Sequence, residues 1–149
     1  LADLLAIRNC KVDHDVIGKQ NYLRFGDIEE ITLYELVQNV KNVFHLPGVR
    51  VLGDLNQRIN RIGVIGGSGA HQNDIERAIF NNCQVLITGE VKLNNAKYAK
   101  YLGLAIIEVN HGIEKFVFTN LKKDLEKDLS LNSKVIVSEI ETDPLKIIG

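Results

Sequence analysis

The chain contains no tryptophan and no methionine, only two prolines and two cysteines, and almost no charge imbalance, with a net charge of −1 over 149 residues. Each scarcity excludes something. A pI near 6.5 without a broad basic field gives nonspecific nucleic-acid binding no electrostatic footprint. No apolar run approaches the length of a membrane span, and no signal-peptide pattern opens the chain. Cys10 and Cys83 lie far apart and fit no CxxC spacing, so they are read as reduced and structural, as in a cytoplasmic protein. What is present, 45% hydrophobic and 25% charged residues, is the make-up of one soluble domain with a real core. The opening "LADLLAI" has neither an initiating Met nor a capping residue. It reads as the tail of a helix whose beginning is missing, so the chain is expected to be a fragment.

Hydrophobic periodicity organises the rest. Residues 1–7 read as a helical remnant with Leu1, Leu4 and Leu5 on one side. Residues 8–31, which contain Gly18 and Gly26, read as a loop with one short strand around "NYLRFGDI". "TLYELVQNVKNVFHLPG" is the clearest helix: Thr32 and Glu35 form a capping box, and Leu33, Leu36, Val37, Val40 and Phe44 make one apolar stripe that Pro47-Gly48 ends. Beyond it, "VRVLGD", "RIGVIGG", "QVLITGE", "LAIIEV" and "KVIVSEI" read as strands. "DIERAIFNN", "KLNNAKYAKYLG" and "IEKFVFTNLKKDLEKDL" read as helices, the last with Leu121, Leu125 and Leu129 inward. Alternating strands and helices with strands apolar on both faces predict a single α/β domain around a largely parallel or mixed sheet.

Three segments stand at the carboxyl ends of predicted strands, where ligands gather in open α/β sheets. The first, "GVIGGSGA", places Gly66, Gly67, Ser68 and Gly69 between strand and helix, offering backbone N–H groups to an anion. Without a Gly-Lys-Ser/Thr it is not a P-loop, and after Gly67 and Gly69 no third glycine completes a GxGxxG. Without a ligand it is a tight turn, with Asn73 a better helix cap than His71. In the second, "LITGEVKLNNA", Glu90 either supports a ligand or serves the start of the next helix. In the third, "HGIEKF", His111 and Glu114 lie three apart and share a helical face. They are either two ligands for zinc, iron or manganese or the first turn of a surface helix. His14, between Asp13 and Asp15, reads as part of a solvated loop, and His45 stands beside a helix end.

"GVRVLGD", "RIGVIGGSGA", "VLITGE", "GLAIIEVNH" and "VSEIETDP" occur in one order. Together they resemble the NIF3-like family, also described as GTP cyclohydrolase I type 2 homologues. The segment "YLRFGDIEEITLYELVQNVKNVFHLPGVRVLGD" and the opening "LADLLAI" are similar to that family as well, so the resemblance runs through essentially the whole chain. It implies an α/β protein of two similar halves, a dinuclear metal centre between them and a ring-shaped homohexamer. Residues 1–149 would then correspond to its C-terminal part. The family's N-terminal part supplies a His-His pair and an Asp, and no His-His pair occurs here. The C-terminal part supplies a His and a Glu, matched by His111 and Glu114. In the family these are normally four apart. Asn110 stands where the motif has Gly, and Asn94 where a His is frequent. Glu90, Gly67, Ser68, Asn94 and Asn110 are carried over as supporting or ligand-contacting positions. The resemblance implies a divalent-metal-dependent hydrolase acting on a nucleotide-type substrate, with two ions per full-length chain. The alternative is a non-catalytic oligomeric scaffold whose metal site has decayed. The isolated chain is expected to hold at most one weakly bound ion, at His111–Glu114, and to self-associate.

Overall fold

Helix and strand alternate as the periodicity requires, and where they do not, an exposed edge or a bulge is the reason. The computed structural model describes residues 1–14, 20–127, 134–138 and 140. In chain order the elements are β1 (Arg8–His14), β2 (Gln20–Thr32), α1 (Leu33–Phe44), β3 (Arg50–Leu52), β4 (Arg58–Ile65), α2 (Gln72–Phe80), β5 (Val85–Thr88), α3 (Leu93–Tyr101), β6 (Ala105–Glu108), a 3-10 helix (His111–Lys115) and α4 (Phe116–Lys127). The six strands form one mixed sheet in the order β1-β2-β4-β5-β6-β3. The inner strands β4, β5 and β6 are parallel, whereas β1–β2, β2–β4 and β3–β6 pair antiparallel.

The sheet is buried on both faces. On one side α1 lays Leu33, Leu36, Val37, Val40 and Phe44 against Ile59, Ile62, Val85, Ile87 and Ile107. On the other, Ile75 and Ala78 of α2 and Ala99 of α3 pack on Leu23, Phe25, Leu86 and Ile106. Neighbouring β5 residues thus serve opposite cores, which is why "VLIT" is apolar throughout. Each fully buried Leu or Phe here contributes about 1.5–3 kcal/mol relative to exposure.

The expected capping box of α1 is present. Thr32 N–H donates to Glu35 Oε2 at 2.7 Å, and Glu35 N–H donates to Thr32 Oγ1 at 3.2 Å. The helix ends before Pro47-Gly48, because His45 takes the left-handed conformation (φ 54°) and Leu46 N–H bonds back to Lys41 O at 2.9 Å. The cap of α2 is His71 rather than Asn73, with Asp74 accepting from His71 N–H at 3.1 Å.

Five expectations are corrected. Residues 1–7 form a turn, not a helix. Most of 8–31 is not loop but the two long strands of a hairpin. β1 is an edge strand that exposes nearly every side chain, so it has no apolar alternation to read, and the pairing of β2 with β4 slips between Asp27 and Ile31, which breaks its alternation. "KVIVSEI" forms no strand at its described residues 134–138 and 140, where Ile136 and Ile140 are exposed. A β-branched run becomes a strand only where a ladder partner exists. Leu121 and Leu125 of α4 do not point into a core: they are 47% and 37% exposed, and α4 buries no residue. Leu129 lies outside the described residues. Only one of the two free cysteines is structural: Cys83 is buried while Cys10 is exposed on β1. Among the described residues no helix is long and apolar enough to cross a membrane.

The "KVDHDV" segment also differs from the expected solvated loop. Asp13 is only 2% exposed. Its carboxylate accepts from Arg77 Nε at 2.8 Å, from Arg77 Nη2 at 2.5 Å and from Asn81 Nδ2 at 2.8 Å. Arg77 also donates to His14 O at 2.7 Å. This cluster clamps the β1–β2 hairpin onto α2. Asp15 lies outside the described residues.

Candidate functional site

The parallel register of β4, β5 and β6 aligns Ile65 with Thr88 and Thr88 with Glu108, so all three strands end at one level. The chain that follows each of them converges on one place. Gly67 O accepts from Glu90 N–H at 3.0 Å and from the Thr88 hydroxyl at 3.3 Å. The same hydroxyl oxygen accepts from Gly69 N–H at 3.2 Å, and Thr88 O accepts from Val109 N–H at 2.9 Å. Gly89 sits at the centre. A Cβ built there would lie 2.6 Å from Gly67 O and 3.1 Å from Asn110 O, so only glycine permits this approach.

Onto this base the sequence places one imidazole and two carboxylates. His111 Nε2 stands 3.3 Å from Glu90 Oε2, and His111 Nδ1 stands 4.0 Å from Glu114 Oε1. The first is a hydrogen-bond distance and the second is not. All three side chains are about half exposed. Gly67, at φ +64°, leaves room for the group: a Cβ there would lie 3.0 Å from Glu114 Oε1 and 3.7 Å from His111 Cε1. The glycine loop therefore makes space for the two side chains, beside whatever its N–H groups offer an anion.

The three-residue spacing of His111 and Glu114 follows from the local helix type. Residues 111–115 form a 3-10 helix, in which residues three apart eclipse. On an α-helix the same alignment falls between spacings of three and four. Asn110 starts this turn at φ 63°, ψ 173°, a region that is essentially reserved for glycine. Its Oδ1 accepts from Gly112 N–H at 2.8 Å, which offsets part of the strain.

Of the positions singled out from sequence, His111, Glu114, Glu90, Gly67 and Asn110 come together. Ser68 is exposed on the wall of an adjoining groove that also touches Glu114. Asn94 turns elsewhere. Its Nδ2 donates to Asn95 Oδ1 at 3.1 Å, and buried Asn95 donates to Ala70 O at 2.8 Å, tying α3 to the glycine loop. Sequence reading passed over Asn95 and Asp74. Asp74 is half-buried, and that burial pushes its carboxyl up, partly offset by the hydrogen bond from His71 N–H. The signal for Asp74 was its capping spacing, three residues after His71.

The donor set suits zinc, iron or manganese. Among the described residues, however, no group of three or more His, Cys, Asp or Glu side chains is gathered to hold an ion as it stands. His111, Glu90 and Glu114 are thus a partial set, open on one side.

The comparisons with known proteins agree with this arrangement of strands. A "GTP cyclohydrolase 1 type 2 homolog" of Halalkalibacterium halodurans is 32% identical over 135 residues, covering 89% of this chain and 35% of that protein. A protein of the same description from Staphylococcus aureus is 34% identical over 122 residues, covering 80% of this chain and 33% of the relative. The chain therefore spans about a third of the length of the curated relatives it matches. The crystal structure of a Bacillus cereus protein related to NIF3 superposes with a TM-score of 0.82 at 28% identity, over 88% of this chain and 36% of that one. Residues 1–144 match the family model of Duf34/NIF3 (NGG1p interacting factor 3), and the chain belongs to that family.

Proposed function

We propose that this chain contributes His111, Glu114 and Glu90 to a divalent-metal site of a NIF3-type hydrolase acting on a nucleotide-type substrate. The observation that carries the reading is the imidazole of His111 with a carboxylate oxygen facing each ring nitrogen, above the glycine at 67. His111 and Glu114 would hold the ion, and Glu90 would orient the imidazole through Nε2 or join the ligands. When bound, such an ion supplies Lewis acidity and lowers the pKa of water. The backbone contacts among Gly67, Gly89 and Asn110 keep the donors in place, and the half-exposed faces leave an open side for further ligands. The name borne by the relatives, GTP cyclohydrolase 1 type 2 homolog, motivates a guanine nucleotide as the first substrate to try. Because the chain matches a third of those relatives, activity is to be sought in a protein of their full length.

A second reading is a non-catalytic oligomeric scaffold. It is favoured by the absence of a gathered ligand set among the described residues and by Asn94 bonding to Asn95. Self-association, a homohexamer by family resemblance, fits both readings: α4 leaves Leu121 and Leu125 exposed, and the sheet ends in the edge strands β1 and β3.

Elemental mass spectrometry on purified protein decides between them, with His111→Ala as control. Stoichiometric zinc, iron or manganese that disappears in His111→Ala supports the metal site. No stoichiometric metal in a family-length parent, as well as in this chain, overturns it and leaves the scaffold. Sedimentation at micromolar concentration tests self-association, and a monomer would refute it.

A further inference from the structure

Glu114 lines a groove of about 860 Å³ that runs over the glycine loop and the start of α2. That volume is in the range of small-molecule sites. Tyr22 of β2 and Phe118 of α4 line it, and they are 88% and 53% exposed. A single exposed aromatic is ordinary, but two beside one groove leave ring surface that no core residue uses. The lining also holds polar side chains, Ser68, His71 and Asp74. Asp74 already accepts one backbone N–H through Oδ2. A carboxylate has about four lone-pair sites, so Asp74, in the groove's lining, keeps accepting capacity beyond that bond.

This combination selects a ligand by its chemistry. Aromatic side chains favour a planar ring, because stacking requires only a π face. A carboxylate favours a ring edge that presents N–H donors. Among the common bases, guanine presents two adjacent donors on its Watson–Crick edge. Adenine presents one donor beside an acceptor, and that acceptor would face the carboxylate unfavourably. We propose that this groove is a subsite for a planar, N–H-bearing heteroaromatic ring, with guanine the best match, its face against Tyr22 and Phe118 and its donor edge on Asp74. Only the assignment of Glu114 to the reacting part of the groove rests on the metal-site reading. Ring recognition itself needs no ion.

The test is titration calorimetry of the purified protein with guanosine, adenosine and cytidine, which carry no phosphate to bind elsewhere. Each is measured with and without a chelator. Guanosine is expected to bind about tenfold more tightly than adenosine, the discrimination of one good bidentate pair. The chelator should leave this unchanged. Tyr22→Ala and Phe118→Ala should each weaken both purines about tenfold, the usual consequence of removing a stacking partner. Asp74→Asn keeps an oxygen to cap α2 but presents an N–H₂ to the ligand, and it should erase the preference for guanosine. The proposal is overturned if no nucleoside saturates the protein, or if the two aromatic variants bind as the parent does. It is also overturned if Asp74→Asn keeps the guanosine preference while its circular dichroism and melting midpoint match the parent. Loss of the metal site alone, seen as no stoichiometric ion, would leave nucleoside binding intact, so the two readings fail separately.

Discussion

Two clusters of charge in this molecule are built in opposite ways. At the back of α2, Asp13 is 2% exposed and receives three short hydrogen bonds from Arg77 and Asn81. At the strand ends, His111, Glu90 and Glu114 are about half exposed, with separations of 3.3 and 4.0 Å between them. In the first cluster both oxygens of the buried carboxylate meet donors, as the cost of burying charge demands. The second keeps its lone pairs available. Charges that stabilise a fold are used up by it, and charges left under-used on a rigid base are the ones available for chemistry.

Breaking each cluster sharpens the contrast. The largest effect is expected for Arg77→Ala, which leaves the Asp13 carboxylate buried with its main partner gone. Stability should fall by about 3–5 kcal/mol, read from urea unfolding midpoints. Asn110→Gly removes the strain of a non-glycine residue in a glycine region but also its bond to Gly112, and a net gain of about 1 kcal/mol is expected in the same experiment. His111→Ala should change stability by less than about 0.5 kcal/mol, because its surroundings are half solvent. A loss as large as that of Arg77→Ala would mean that both clusters are structural.

A pH series supplies the finest distinction. Burial pushes the Cys83 thiol up to about 12, above its ordinary value of 9.0. The native state then holds a proton that the unfolded chain releases, so this group's stabilisation is complete below about pH 9 and is lost as pH rises from there towards about 12. Cys83→Ala should flatten that part of the stability profile, while Cys10, exposed on β1, should react with thiol reagents in the native protein and Cys83 should not.

Much of the fold was legible where one helix or strand carries its own signal. The capping box of Thr32 and Glu35, the apolar stripe of α1 and the doubly apolar inner strands all depend on neighbours within a few residues. The misreadings share a different cause. β1 has no apolar face because it lies at an edge, and the bulge in β2 shifts its alternation. The stripe of α4 declares an apolar face but not a partner to cover it. The Asp13–Arg77 pair spans 64 positions of sequence, a separation at which no local pattern speaks. Within the candidate site, the glycine loop, Glu90 and His111 were legible from their places at strand ends. What was not legible was the 3-10 turn, because Asn110's positive φ belongs to the backbone and not to any residue pattern.

The close approach at Gly89 has a mechanical consequence. With Gly67 O and Asn110 O both close to where a Cβ would stand on it, the loops after β4, β5 and β6 are pinned against one another like three beams resting on one joint. None of them can shift without displacing the other two. Adjustment to a bound group is therefore left to the side chains, and the size of what the site can hold is set by how far His111, Glu90 and Glu114 reach from a backbone that does not yield.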